Sequence, residues 1–148
     1  MSIEISFKKN VSSKQIKNYV LFSDKNFKIH GLAKLPIKGQ SNFINKTINS
    51  NTLIEKDFLI FNLNPEQKII LVKINQNEST NFNEKKGAKF YSFLKSSLIF
   101  NITFFENNIK ETETKNKLFL NEFIHGFKLK SYKFNKYKSK KIKENFKL

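Results

Sequence analysis

The chain has 148 residues, of which 39% are hydrophobic and 17 are phenylalanine, so it can bury a real core and global disorder is not expected. It has no cysteine, which excludes disulfides, a thiol nucleophile and thiolate zinc sites. The formal net charge is +16, but every basic residue is lysine and arginine is absent, so an A/T-rich codon supply explains the charge better than selection for a polyanionic partner.

The first third of the chain contains two predicted strands and a short helix. Alternating Ile3, Ile5 and Phe7 are typical of a half-buried strand, and NYVLFS at 18–23 predicts a second one. SDKNF then reads as a turn. Ser41 is a candidate N-cap for a short helix that buries Phe43, Ile44 and Ile48.

The middle of the chain contains two dense apolar runs, DFLIFNL at 57–63 and KIILVKI at 68–74, joined by an NPEQ turn. They predict two adjacent central strands. Ala88, Tyr91 and Leu94 recur at helical spacing in GAKFYSFLKSS, and SLIFNITFF at 97–105 predicts another strand.

The last third combines a polar connector, ENNIKETETKNK, with a helix whose Leu120, Phe123, Ile124 and Phe127 share one face. The predicted order is therefore β-β-α-β-β-α-β-α. Because the strands are apolar along nearly their whole length, we expect both sheet faces to be covered. We predict an α/β class with a three-layer arrangement, a mixed β-sheet flanked by helices.

The sequence offers few groups for catalysis. His30 and His125 lie far apart, outside any metal-ligand pattern, and are each expected to be hydrogen-bonded structural or surface residues. Only two aspartates occur, Asp24 in a turn and Asp57 at the start of a strand. We predict no catalytic residue and no metal ligand in this chain. The amino terminus has no signal-peptide pattern, and no apolar run is long enough to span a membrane, so a cytoplasmic location without a membrane partner is expected.

The carboxyl-terminal stretch from Gly126 to Leu148 carries nine lysines and one glutamate, half of the net charge. Lysines interleaved with tyrosines and phenylalanines could neutralise phosphates while the rings stack on bases. The rings could instead pack on the domain while the lysine stems extend into solvent, and the spacing favours that interpretation.

The segment GFKLKSYKFNKYKSKK resembles the end of the amino-terminal domain of leucyl (cytosol) aminopeptidases, which reads approximately E-G-x-x-L-x-x-Y-x-F-D-x-Y-K-S-K-K. His125 stands at the family's frequent glutamate and Asn135 at its usual aspartate. Upstream the resemblance is one of element layout. The matching positions are Gly126, Leu129, Tyr132, Phe134, Tyr137, Lys138, Ser139, Lys140 and Lys141.

The resemblance implies a macro-domain-like fold over 1–130 and a basic connector over 131–148, with Gly126, Leu129, Tyr132, Phe134, Tyr137, Lys138 and Lys141 as connector or packing residues. It also implies a catalytic domain, absent from this chain, that binds two divalent ions, Mn or Zn. The partners would be that domain and further copies, a hexamer in the family. The function implied is assembly and active-site access in a metalloaminopeptidase that removes amino-terminal residues from peptides.

Two other functions remain open at the level of sequence. A stand-alone nucleic-acid-binding module would account for the charge and the lysine and aromatic tail. Binding of ADP-ribose in a macro-like cleft is less favoured, because the four glycines form no phosphate-binding loop.

Overall fold

The protein was analysed as a computed structural model, which describes residues 3–8, 16–32, 41–50 and 56–146. The chain forms two compact units, one made of Ile3–Asn77 and Ile99–Lys117, the other of Glu78–Leu98 and Leu118–Leu148. Among the described residues, the first unit contains five strands and two helices. The second consists of the two longest described helices, which pack against each other.

The first unit is built on a five-stranded mixed sheet with strand order β1-β5-β2-β4-β3. Four strands are parallel, and β3 runs antiparallel to β4. The strands are β1 (Glu4–Lys8), β2 (Asn18–Ser23), β3 (Phe58–Asn62), β4 (Lys68–Lys73) and β5 (Asn101–Phe105). The predictions of an α/β class and of a mixed sheet flanked by helices are confirmed.

Both sides of the inner strands β2 and β4 are buried, as their continuous apolar sequences predict. Tyr19 and Leu21 point into a cluster that also takes in Ile44 of helix α1 (Ser41–Ser50). Val20 and Phe22, on the opposite side of β2, have no solvent exposure either. The predicted strand at 18–23 is confirmed with the same bounds.

The β3–β4 hairpin is confirmed, but its place in the sheet is not the predicted one. In the NPEQ turn, the Asn64 side chain accepts hydrogen bonds from the Glu66 and Gln67 backbone N–H groups at 3.0 and 2.9 Å. β3 is an edge strand, however; four of its five residues are only half-buried, and Asn62 is exposed. The prediction that both hairpin strands are central is wrong for β3, because the apolar run alone does not reveal how many neighbours a strand has.

Helix α1 confirms the predicted start at Ser41 and the burial of Ile44, which is fully buried. Phe43 was predicted to be buried as well, but 48% of it is exposed. Phe43 is one residue from Ile44 and therefore about 100° away around the helix, so it lies beside the buried side of Ile44 and not on it. The Ile48 side chain lies outside the described part of the chain.

Helix α2 (Thr80–Ser96) begins seven residues before the predicted segment at Gly87. Ser79 is its N-cap, and the Ser79 hydroxyl accepts a hydrogen bond from the Phe82 N–H at 3.2 Å. The first two turns bury Asn83, Lys86 and Gly87. Because the residues before Gly87 are mostly polar, they carry no apolar periodicity, and the sequence predicted a helical segment only from Gly87 onward.

Two further differences concern the last third of the chain. Helix α3 (Glu106–Thr112) forms where a polar connector was predicted, and it buries Asn108 and Thr112 together with Ile109. Helix α4 (Phe119–Phe146) contains the predicted apolar face, with Phe123 and Phe127 buried. The predicted face ends at Phe127, and the helix continues for nineteen more residues, to Phe146.

Candidate functional site

The carboxyl ends of the adjacent parallel strands β2 and β4 meet at one edge of the sheet, which is where open α/β sheets most often bind ligands. A cavity of about 540 Å³ lies there, lined by Asp24, Lys25, Asn26, Ile74, Asn75 and Gln76. Its volume falls within the range of small-molecule sites, but five of its six lining residues are polar, whereas ligand pockets are mostly apolar. Binding of ADP-ribose, the less favoured alternative from the sequence, would use a cleft of this kind and stays a prediction.

Asp24 organises the turn that follows β2, as the sequence predicted. Its Oδ1 accepts hydrogen bonds from the backbone N–H groups of Asn26 and Lys28 at 2.9 and 3.0 Å. Its Oδ2 lies 3.1 Å from Nε2 of His30. Burial by itself would raise the pKa of Asp24, but the hydrogen bonds from Lys28, His30 and Asn26 outweigh it and hold the pKa below its ordinary value.

A carboxylate that orients an imidazole is an arrangement that acid–base catalysis can use. Here, however, both Asp24 oxygens are engaged in holding a turn that brings Phe27 to a φ of 62°. The neighbouring hydroxyl, Ser23, is fully buried and donates to the Asp24 carbonyl at 3.3 Å. The geometry therefore matches the prediction that His30 is a hydrogen-bonded structural histidine.

Two buried polar side chains hold the segments that follow β2 and β4 in place. The Asn108 amide contacts the backbone of Phe22 and His30 through three hydrogen bonds of 2.7–3.1 Å. The buried Glu113 carboxylate accepts hydrogen bonds from the backbone N–H groups of Asn77, Lys115 and Asn116. Asn108 was not singled out from the sequence, and Glu113 was expected to be solvated in a polar connector, which is wrong because it is only 5% exposed. Polar residues in a polar segment give no signal of burial.

The second unit is a pair of helices that approach each other very closely through glycine. A Cβ atom on Gly126 of α4 would lie 1.9 Å from the Glu84 carbonyl oxygen of α2, and one on Gly87 would lie 1.9 Å from the Phe123 oxygen. No side chain fits at either position. Gly126, for which the resemblance implies a connector or packing role, is thus a helix-packing residue.

Polar contacts on either side of this crossing set the register of α2 and α4. Glu122 accepts hydrogen bonds from Thr80 Oγ1 at 2.8 Å and from Asn83 Nδ2 at 2.7 Å. Further along both helices, His125 Nδ1 lies 2.7 Å from Glu84 Oε1. The contacts advance in the same direction on both helices, so α2 and α4 run parallel.

The remaining motif positions follow on α4. Leu129 and Tyr132 are 43% and 65% exposed, and Lys128 and Lys130 are exposed as well. The side chains of Phe134, Tyr137, Lys138 and Lys141 lie outside the described part of the chain, although their backbone belongs to the helix. The connector and packing roles of these residues stay predictions.

Within residues 3–8, 16–32, 41–50 and 56–146, no group of three or more His, Cys, Asp or Glu side chains could hold a metal ion. No helix within them is long and apolar enough to cross a membrane.

Comparisons with known proteins add no family assignment. No family model matches the chain. No curated protein matches its sequence either.

Proposed function

We propose that this chain is the amino-terminal, non-catalytic domain of a cytoplasmic leucyl aminopeptidase. Its role would be to help assemble the enzyme and to shape access to the active sites, while a catalytic domain outside these 148 residues removes amino-terminal residues from peptides. Two divalent ions, Mn or Zn, would belong to that catalytic domain. The partners would be the catalytic domain and further copies of the same protein.

The observation that carries the proposal is the position of the motif residues on α4. The stretch from Gly126 to Lys141 that resembles the aminopeptidase family lies on one continuous helix of 28 residues. A helix of this length spans about 42 Å at 1.5 Å per residue. Because a helix is much stiffer than an irregular linker, α4 is suited to hold a following domain in a defined position.

The close packing of α4 on α2 supports the same role. A connector transmits position only if its base is immobilised, and Gly126 sits where α4 touches the α2 backbone. Glu122 and His125 add polar contacts to α2 on the same turns of the helix. The α/β class with a mixed sheet also agrees with the fold that the resemblance implies.

The catalytic part of the proposal is tested by assaying the isolated chain on leucine p-nitroanilide with Mn²⁺ or Zn²⁺. We expect no turnover. Robust metal-dependent hydrolysis by the purified chain would refute the assignment of catalysis to another domain.

The assembly part is tested by fusing the chain, through α4, to a leucyl aminopeptidase catalytic domain that lacks its own amino-terminal domain. We expect the fusion to form hexamers in light scattering and to hydrolyse leucine p-nitroanilide. The control is a fusion of the same catalytic domain to an unrelated α/β domain of equal length. Assembly and activity no better than this control would contradict the proposal.

A further inference from the structure

The outer edge of β3 presents backbone hydrogen-bonding groups that β4 does not use. β3 ends the sheet, and no strand of the described part of the chain lies beyond it. The Lys73 N–H donates to the Asp57 carbonyl at 2.9 Å, so these two residues form a hydrogen-bonded pair of the ladder. Such pairs alternate along antiparallel strands, and the odd-numbered residues of β3 therefore bond to β4. The backbone N–H and carbonyl groups of Ile60 and Asn62 point outward.

β3 also lacks the features that keep sheet edges from accepting a further strand. Its pairing with β4 is continuous, without a bulge. None of its five residues, Phe58–Asn62, is charged or is a proline. The opposite edge strand, β1, has Glu4 and Lys8 at its two ends. Because charges, prolines and bulges are what protect natural sheet edges, β3 is the edge suited to strand addition.

The sequence of β3 is complementary to itself when a second copy runs antiparallel to it. With Ile60 on the two-fold axis, Ile60 faces Ile60 of the second copy, and Leu59 faces Phe61. All three side chains are half-buried, so part of each is still accessible for contact. Residues 57–67 contain no lysine, so two copies with a net charge of +16 each bring no lysines opposite each other along the paired strands.

We propose that two copies of this chain associate through β3, antiparallel and around a two-fold axis, so that one sheet continues across both. The Ile60 N–H of each copy donates to the Ile60 carbonyl of the other. Leu59 and Phe61, which already pack on the apolar cluster of their own copy, extend that packing across the junction. A pair of five-residue strands is a small interface, so the dimer is weak and depends on concentration. The proposal concerns the chain alone and does not rest on the aminopeptidase assignment.

Analytical ultracentrifugation of the 148-residue chain at concentrations up to about 1 mM tests the association, since small interfaces have dissociation constants in the micromolar to millimolar range. We expect Asn62→Lys, at an exposed edge position, to raise the dimer dissociation constant about tenfold, because it places a cation near both ends of the strand pair. Asn81→Lys is the matched control, with the same substitution at an exposed position of α2, and should dimerise as the wild type does.

Disulfide trapping tests the position of the two-fold axis. The chain has no cysteine, so a single introduced cysteine reports only on its own position. Ile60→Cys should form a cross-linked dimer under mild oxidation, because residues that face each other across antiparallel strands are within disulfide distance. Asn62→Cys should not, although it is more exposed, because the two copies of residue 62 lie about 13 Å apart along the strands at 3.4 Å per residue. Circular dichroism and thermal melting verify that each variant is folded.

Three results would overturn the proposal. A monomer at every concentration would leave the edge of β3 to a strand of another protein. Equal weakening by Asn62→Lys and Asn81→Lys would mean that only the net charge matters. Faster cross-linking of Asn62→Cys than of Ile60→Cys would mean that the thiols meet by random collision and not in the proposed pairing.

Discussion

Just beyond the end of β5, the side chain of Asn108 makes the hydrogen bonds to β2 that a neighbouring strand would otherwise make. β5 pairs with β2 at Tyr19 and Val20 and then continues into α3. One turn later the Asn108 amide accepts the Phe22 N–H at 2.7 Å and donates to the Phe22 carbonyl at 3.1 Å. A side-chain amide carries the same donor and acceptor as a peptide group, so it can satisfy a buried strand edge.

Replacing Asn108 with leucine, which is similar in size, should leave the buried Phe22 N–H without a partner. Each such group costs about 1–3 kcal/mol, so we expect urea denaturation to show a loss of about 3 kcal/mol in the free energy of unfolding. The neighbouring Asn107→Leu is the control, because Asn107 is exposed on the same helix. Equal effects of the two substitutions would show that the Asn108 hydrogen bonds contribute little.

Asp24 makes stability depend on pH at the acidic end. Its pKa in the folded protein lies below the ordinary value of 3.8, so the unfolded chain takes up a proton first as the pH falls. The stabilisation is therefore complete above that value and is lost as the pH falls through the lower folded pKa.

Asp24→Asn keeps the turn acceptor but removes the charge. Urea titrations should find it less stable than the wild type near neutrality, with the difference shrinking in acid; a difference independent of pH would contradict this.

At the scale of elements, the α2–α4 pair depends on one glycine from each helix. Both glycines lower helix propensity by about 1 kcal/mol relative to alanine. Glycine is nevertheless needed at both positions, because a methyl group at Gly87 or Gly126 would overlap a backbone carbonyl of the facing helix. Close backbone approach in turn lets Tyr91 meet Phe127 edge to face, with ring centroids 5.1 Å apart.

Gly126→Ala should lower the free energy of unfolding by about 1–3 kcal/mol, despite the gain in helix propensity, because the helices must move apart. Denaturant unfolding measures the effect, and Gly87→Ala should behave in the same way. Ser92→Ala, at an exposed position of α2, is the control and should stay within about 0.5 kcal/mol of the wild type. A stabilising effect of Gly126→Ala would mean that the crossing is looser than described.

At the scale of the whole molecule, burial is concentrated in the inner strands of the sheet. β2 has neighbours on both sides, and five of its six residues are buried. β3 has a neighbour on one side only, and none of its residues is buried.

Amide hydrogen exchange should therefore be slowest in β2 and β4 and clearly faster in the edge strand β3, because exchange needs local opening, which costs most where most surface is buried. Mass spectrometry of peptides covering 18–23, 58–62 and 68–73 measures the order. Protection of β3 equal to that of β2 would contradict it.

The predictions that succeeded rest on apolar runs and turn residues. NYVLFS specified β2 to the residue, and Pro65 with Asn64 marked the β3–β4 turn, because both signals are local. The missed helix α3 and the missed start of α2 share a cause. α3 and the first turns of α2 bury Asn83, Asn108 and Thr112, and a polar residue reveals its burial only once its hydrogen-bond partner is known.

The sequence by itself determined the α/β class, the order of strands and helices in the first two thirds of the chain, and the concentration of lysine near its end. These features follow from hydrophobic periodicity and charge, which depend only on residues close together in the chain. The tertiary structure alone decided that β3 is an edge strand, that Asn108 completes the sheet, and that Gly126 packs against the backbone of α2 at Glu84. Each of these depends on which distant backbone atoms come within contact distance, and no local pattern encodes that.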